Sequence, residues 1–457
     1  MQEENKMAIL DYIVNLGASV MMPIIFTIFA LILRVKVGKA IKSGLLVGVG
    51  FIGLNIVITL LTDNLGPAAE QMVENFGLDL HVLDVGWPAA AAIAFGSKVG
   101  ALIIPVCLAV NILMLLTRTT QTVNIDIWNY WHFAFTGSIV AVMTDSFWWG
   151  IFAAIINMIV IMVIADLTAK NVEKHLGLEG VSLPHGFTAS FVPIAIVVNK
   201  ILDWIPGINK INLDADGLQK KLGVFGEPIF LGTIIGAILG IVAGYDVKGI
   251  LNLAITMGAV LVLIPKMAAV LMEGLMPVSE ATQDLIEKRF KNFGKLFIGL
   301  DSAVGIGHPT TLVVSLLLVP ISLVLAAILP GNGLLPFASL AGLPFAFVLI
   351  VPITKGNVFR TIIVGLVIMV LGLWFATDLA PIFTKAAGLV NFAIPSGSNL
   401  VSSIDYAASP LPWAIVRLLD IKVIGAIIIG ALTLALMLYN RRRILKEAKE
   451  LASNTEA

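Results

Sequence analysis

The segment Asp301-Ser-Ala-Val-Gly-Ile-Gly-His-Pro309 carries two ionisable side chains, Asp301 and His308, directly before a strongly apolar run. An ionisable group at membrane depth is expensive and marks function by default; a loop-end charge in interfacial water is the alternative reading. A carboxylate at Asp301 could accept two hydroxyl hydrogen bonds or act as a general base toward a hydroxyl. Asp84 and Trp87 lie in a similar break, Asp84-Val-Gly-Trp-Pro88, where Asp84 could equally cap a helix. His132 follows Trp128-Asn-Tyr-Trp131. There the aromatic faces could stack on the C–H surface of a sugar-like ligand while Asn129 and His132 bind hydroxyls. An interfacial aromatic belt around a satisfied histidine is the competing reading. His185 sits in the break Pro184-His-Gly186, as a ligand or as a turn residue. Glu227, in Phe225-Gly-Glu-Pro228, opens an apolar helix, and an acid there also suits the helix dipole.

Other chemistries are excluded. Cys107 is the single cysteine, so no intrachain disulfide, thiolate cluster or Cys-x-x-Cys pair is possible, and its apolar surroundings make it a packing residue. There is no Walker loop and no His-x-x-x-His pair, and Gly305-x-Gly307 lacks the strand context of a dinucleotide site. No metal and no cofactor are expected. A formal net charge of +0 gives no sign of nucleic-acid binding. His81 and His175 read as loop residues.

The elements that must position these groups are membrane helices. The chain has 457 residues, 58% hydrophobic and 13% charged, with a mean hydropathy of +0.99. Soluble domains are typically about 45–50% apolar and about 25% charged. Apolar runs long enough to span, or nearly so, occur at Ile9–Leu33, Gly44–Leu61, Val99–Leu116, Phe147–Ala165, Phe230–Gly244, Leu251–Met272, Thr311–Leu329, Phe345–Ile353, Thr361–Trp374 and Val423–Tyr439. With an acidic start and a long first apolar run, no cleavable signal is expected.

The chain also repeats. Leu61–Glu70 aligns with Leu271–Glu280, 210 residues on, with four identities and Asp63 against Glu273. In the same order, Leu83-Asp84 aligns with Leu300-Asp301, Pro88 with Pro309, Phe133-Ala-Phe135 with Phe345-Ala-Phe347, Pro184-His-Gly186 with Pro395-Ser-Gly397, and Leu202-Asp203 with Leu419-Asp420. Arg34, Lys36, Lys39 and Lys42 crowd the first loop of unit one, whose counterpart holds Lys248 alone; the second loop reverses this, with Lys288, Arg289, Lys291 and Lys295 in unit two and none in Asp63–Asp84. Lys and Arg mark the cytoplasmic side, so the units are expected to be inverted. The expected architecture is an all-α polytopic membrane protein with about eleven transmembrane helices in two inverted repeats with interrupted segments. Residues 8–204 form the first repeat, 205–222 a linker, 223–420 the second, and 421–457 a final helix with a basic cytoplasmic tail.

The motifs Leu80-His-Val-Leu-Asp-Val-Gly-Trp-Pro88, Asn124-Ile-Asp-Ile-Trp-Asn129 with Trp131-His132, Phe135-Thr-Gly137, Pro184-His-Gly186, Phe225-Gly-Glu-Pro228, Ala243-Gly-Tyr-Asp-Val-Lys-Gly249, Ile298-Gly-Leu-Asp301, Gly307-His308, Pro330-Gly-Asn332 and Gly356-Asn-Val-Phe-Arg-Thr361 run along nearly the whole chain. Together they resemble the membrane component, enzyme IIC, of the galactitol family of the sugar phosphotransferase system. The resemblance implies a multi-pass permease of a bacterial inner membrane that binds a hexitol such as galactitol. It implies a homodimer, embedded in lipid, with a scaffold at the dimer interface and a mobile core. It also implies cytoplasmic IIA and phosphorylated IIB partners, the latter supplying a phosphocysteine that a substrate hydroxyl attacks. On it, Asp84–Pro88, His132, His185 and Asp301 would line the site. A proton-coupled secondary transporter of a polyol or sugar, using Asp301, Glu227 or His308, stands as the second reading.

Overall fold

The computed structural model describes residues 18–76, 81–213, 228–289, 296–336, 338–390 and 400–455. Among these the chain is predominantly helical, the conformation that satisfies every backbone group inside one segment when water is absent. The first half runs α1 (Ala18–Ile32), α2 (Val37–Phe76), β1 (Val82–Asp84), α3 (Gly86–Gly96), α4 (Lys98–Leu116), β2 (Thr122–Asn124), α5 (Tyr130–Thr144), α6 (Phe147–Leu176), β3 (Val181–Ser182) and α7 (Gly186–Trp204). The second runs α8 (Pro228–Val242), α9 (Val247–Arg289), β4 (Phe297–Gly299), α10 (Pro309–Ile328), β5 (Leu334–Leu335), α11 (Leu343–Phe347), α12 (Ile350–Ile353), α13 (Val358–Leu389), β6 (Leu400–Ser402), α14 (Pro410–Asp420) and α15 (Lys422–Thr455).

Five described helices, α6, α7, α10, α13 and α15, are long and apolar enough to cross a membrane. With the composition, this makes the protein a multi-pass helical membrane protein. The face of α15 that carries Ile424, Ile427, Leu434 and Leu438 is exposed and aliphatic, as lipid contact demands. Helix α5 behaves in the opposite way. Tyr130 through Val140 are all buried, so it is packed by protein on every side. It tolerates His132, Thr136 and Ser138 for that reason, and its broken hydropathy hid it from a search for apolar runs.

Helices α2 and α9 are longer than their apolar runs. At 1.5 Å per residue their 40 and 43 residues reach about 60 and 65 Å, twice a hydrocarbon core of about 30 Å. The stretches expected as loops after Leu61 and after Met272 are therefore helical as far as Phe76 and Arg289. The two helices pack antiparallel. Lys39 and Lys42 at the start of α2 reach Glu280 and Glu273 late in α9, at 3.1 and 3.3 Å. Asn75 near the end of α2 donates to Ala243 O, just beyond α8, at 3.0 Å. Ser43 Oγ donates to Gly274 O, and a Cβ on Gly274 would stand 2.7 Å from Val47 N, so this crossing requires glycine.

The described part of the expected linker is not loose. Leu213 O accepts from Val358 N, and Ile211 O from Asn357 Nδ2 at 2.8 Å, which ties it to the start of α13. Residues 214–222 lie outside the described residues.

Among the described residues, six strands of two or three residues form two small parallel sheets. In one, β1 lies between β5 and β6; in the other, β4 lies between β2 and β3. Each middle strand comes from one half of the chain and both its neighbours from the other. The strand beside β1 is Leu400–Ser402, later in the chain than the Pro395–Gly397 match suggests; residues 391–399 lie outside the described residues.

Candidate functional site

The carboxyl ends of the six described strands lead into the wall of one cavity, which with its open mouth holds about 360 Å3 of non-atom space. Trp87 follows β1. Trp128, Trp131 and His132 follow β2. His185 and Phe187 follow β3, and Asp301 follows β4. Gly342 and Phe345 come after β5, and Asp405 after β6. Parallel strands commonly present ligands at their carboxyl ends, where the chain turns out of the sheet and side chains become free to point outward. Here two sheets do so toward the same space.

Asp301 is fixed from two directions. Its Oδ1 accepts from Ala303 N at 2.7 Å, and its own N–H donates to Asp126 Oδ2 at 2.9 Å. Its Oδ2 is buried with no hydrogen-bond partner among the described residues. His185 Nε2 stands 3.5 Å from it, too long for a well-formed hydrogen bond. His185 stacks on Phe345, with ring centroids 5.8 Å apart, and its Nδ1 is also unpartnered. His132 is fully buried. Its Nδ1 lies 3.2 Å from Asn129 O, which fixes a tautomer with Nδ1–H and leaves Nε2 as a lone-pair acceptor without a partner. The ring packs between Trp131, His185 and Tyr406, at centroid distances of 4.1, 4.4 and 4.7 Å. Gly186 makes this possible, because a Cβ there would fall 2.6 Å from His132 Cβ. Trp87 crosses Trp128 edge to face at 5.7 Å, and its Nε1–H has no partner.

Trp87, His132, His185 and Asp301, singled out from the sequence, thus share one cavity. Asp84 does not line it. It is buried with both oxygens engaged: Gly86 N donates to Oδ1 at 3.1 Å, Ser339 N to Oδ2 at 2.9 Å and Ser339 Oγ to Oδ1 at 2.5 Å. Asn129 is buried and not among the lining residues, donating through Nδ2 to Asn124 Oδ1 at 3.1 Å while its Oδ1 has no partner among the described residues. His308 caps α10, accepting from Thr310 N at 3.2 Å, and is not among the lining residues. Glu227 lies outside the described residues. Cys107 is buried in α4, as a packing residue should be. Phe187, Gly342, Phe345 and Asp405 escaped the sequence search; so did Asp126, which holds Trp128 N at 3.1 Å as well as Asp301 N. Asp405 carried a usable signal, a lone acid in the otherwise uncharged stretch Leu400–Trp413.

The wall therefore offers aromatic faces beside unpaired nitrogens and a carboxylate oxygen, the pairing that a polyhydroxylated molecule needs. A family model described as "PTS system sugar-specific permease component" matches residues 12–397. The chain belongs to this permease family of the sugar phosphotransferase system. The permease is 41% identical over 437 residues to the putative permease IIC component of Escherichia coli strain K12, across 96% of this chain and all of that one. It is 40% identical over 436 residues to the galactitol-specific EIIC component of the same strain, across 95% of this chain and 96% of that one. The same figures hold for the galactitol-specific EIIC component of strain O157:H7.

The permease's two aspartates should respond differently to amidation. In Asp84→Asn the new amide must face one of its three donors, Gly86 N, Ser339 N or Ser339 Oγ. Leaving such a buried group unsatisfied costs about 1–3 kcal/mol. Asp301→Asn can keep its Oδ1 bond and place the amide where no donor stands. Thermal unfolding in detergent should show a clearly larger loss for Asp84→Asn; the reverse order contradicts the assignment.

Proposed function

We propose that this permease component binds a hexitol, galactitol or a near relative, in the cavity and carries it across a bacterial inner membrane for phosphorylation by a separate B subunit. The observation that carries the proposal is the set of four polar atoms without partners, Trp87 Nε1, His132 Nε2, His185 Nδ1 and Asp301 Oδ2, on side chains that wall one aromatic cavity. Buried polar atoms are paired with few exceptions, so a ligand rich in hydroxyls is the natural complement. The galactitol-specific relatives, similar along almost the whole chain, support the same choice.

In this reading His132 and Asp301 accept hydroxyl protons, Trp87 donates to a hydroxyl oxygen, and the tryptophan faces cover C–H surface. The hydroxyl oxygen attacks the phosphorus of the partner's phosphocysteine, the S–P bond breaks, and Asp301 takes the hydroxyl proton. The permease thereby contributes binding and in-line positioning, the chief resources in phosphoryl transfer. Family membership favours this over a proton-coupled secondary transporter.

The same proposal covers the two inverted units, residues 8–204 and 223–420, joined by 205–222 and followed by 421–457. Its support is the exchange of strands between halves and the antiparallel pairing of α2 with α9. Lys39 and Lys42 stand beside late α9, and Arg443 of the tail donates to Gln121 Oε1 next to β2, the neighbour of β4. The basic segments thus gather toward one end, assigned here to the cytoplasm, with the stretch after Leu61 external. A single cysteine placed at Lys291 should react with an impermeant thiol reagent only after permeabilisation, and one at Asp63 in intact cells; labelling of the Lys291 position from outside contradicts the inversion.

The purified chain should bind galactitol but form no phosphate ester until phosphorylated B subunit is added. Asp301→Asn should weaken binding ten- to a hundredfold, since a hydrogen bond to a charged group is worth about 1.5–3 kcal/mol and each 1.4 kcal/mol is a decade. Calorimetry and vesicle uptake measure both. Uphill uptake driven by a proton gradient with unmodified product points instead to secondary transport. Affinity within threefold of wild type removes Asp301 from the site.

A further inference from the structure

Asp301 has a counterpart across the two sheets. It follows β4, in the sheet centred on that strand, whereas Asp405 follows β6, in the sheet centred on β1, and both line the cavity. Asp405 is only 3% exposed. Ser403 Oγ donates to its Oδ2 and Tyr406 N to its Oδ1. An ionised carboxylate offers about four acceptor positions, so these two donors do not exhaust it, and the residue lines the cavity. The group is held in place by its surroundings. Tyr406 donates its hydroxyl to Asn157 Oδ1 at 2.6 Å, and Ser409 Oγ donates to Asp405 O at 3.1 Å. Ser403 Oγ in turn lies 3.2 Å from Ser339 Oγ, which places the Asp84 and Asp405 carboxylates on neighbouring serines.

The charge pattern of the wall follows. It contains Asp301, Asp405, His132 and His185, and no lysine or arginine among the described residues. Such a wall accepts hydroxyl donors readily. Toward an anion it offers two carboxylates and no fixed cation, in a buried place where solvent and salt screen little.

We propose that Asp405 contacts the substrate and, with Asp301, restricts the cavity to neutral polyols, so that the phosphate ester formed by transfer is held more weakly than the polyol that entered. The inference rests on the polyol reading above. Phosphorylation of a hydroxyl adds about 1.5 to 2 negative charges near neutral pH. The reaction thus adds this charge to the ligand, and once Asp301 has passed on the proton it took in transfer, the wall that attracted the polyol faces the ester with two carboxylates and holds it more weakly.

Three ligands of one carbon skeleton test this by calorimetry on the purified full chain: galactitol, galactonate with a carboxylate at one end, and galactitol 1-phosphate. The wild type should bind both anions at least tenfold more weakly than galactitol. Asp405→Asn should weaken galactitol about tenfold and reduce the anion-to-polyol ratio of Kd values at least fivefold, which general loosening of the site does not do. Ser403→Ala keeps the charge but frees its orientation; it should weaken galactitol while leaving that ratio within twofold of wild type. Equal wild-type affinity for an anion and for galactitol overturns the inference, as does Asp405→Asn with every Kd within threefold. If Asp405→Asn fails to fold, the wild-type comparison and Ser403→Ala decide. Absence of galactitol binding by the wild type removes the polyol reading and this inference with it, a result distinct from binding without discrimination.

Discussion

A backbone that leaves a helix inside a membrane must find partners for its N–H and C=O groups, because no water is there to supply them. In this permease the breaks are closed by strands two or three residues long. Val82–Asp84 is flanked by Leu334–Leu335 and Leu400–Ser402; Phe297–Gly299 is flanked by Thr122–Asn124 and Val181–Ser182. Because each middle strand takes both neighbours from the other half of the chain, neither half can close its breaks alone. The same pairing sets where the turns after the strands go, and all six turn into one cavity. Satisfying the backbone and assembling the site are one event in this fold.

The aspartates that end the two middle segments show how similar local structure is put to different uses. Asp84 Oδ1 accepts from Gly86 N and Asp301 Oδ1 from Ala303 N, two residues on in each case. They part at the second oxygen. Ser339 gives its N–H to Asp84 Oδ2 and its hydroxyl to Oδ1, so both oxygens of that carboxylate are engaged. Where Asp84 receives a backbone donor from across the sheet, Asp301 gives one, through its own N–H to Asp126, so its Oδ2 stays open. Reactivity comes from an unfilled acceptor, not from the residue type.

That distinction sets how far the sequence could be read. Asp301, His132, His185 and Trp87 were legible because polar or ionisable groups in apolar surroundings are costly and call for a reason. The membrane class followed from composition. Asp84 looked equivalent to Asp301, since nothing in one sequence tells which carboxylate will meet a serine 255 residues away. The strands are too short for an alternating pattern and pair with distant segments, so no local signal marks them. Helix α5 was hidden by its own polar residues, and α2 and α9 outran the apolar windows because a helix does not end where the membrane does. Asp405 was missed because its importance depends on β6 lying beside β1.

A structure of the permease with galactitol bound tests most directly whether the six strand ends form a polyol site. The account predicts ligand density in the cavity, with a hydroxyl within about 3 Å of Asp301 Oδ2, another at His132 Nε2, and the carbon chain against Trp87 or Trp128. Density seated elsewhere, for example along the crossing of α2 and α9, with Asp301 Oδ2 still without a partner, would contradict it.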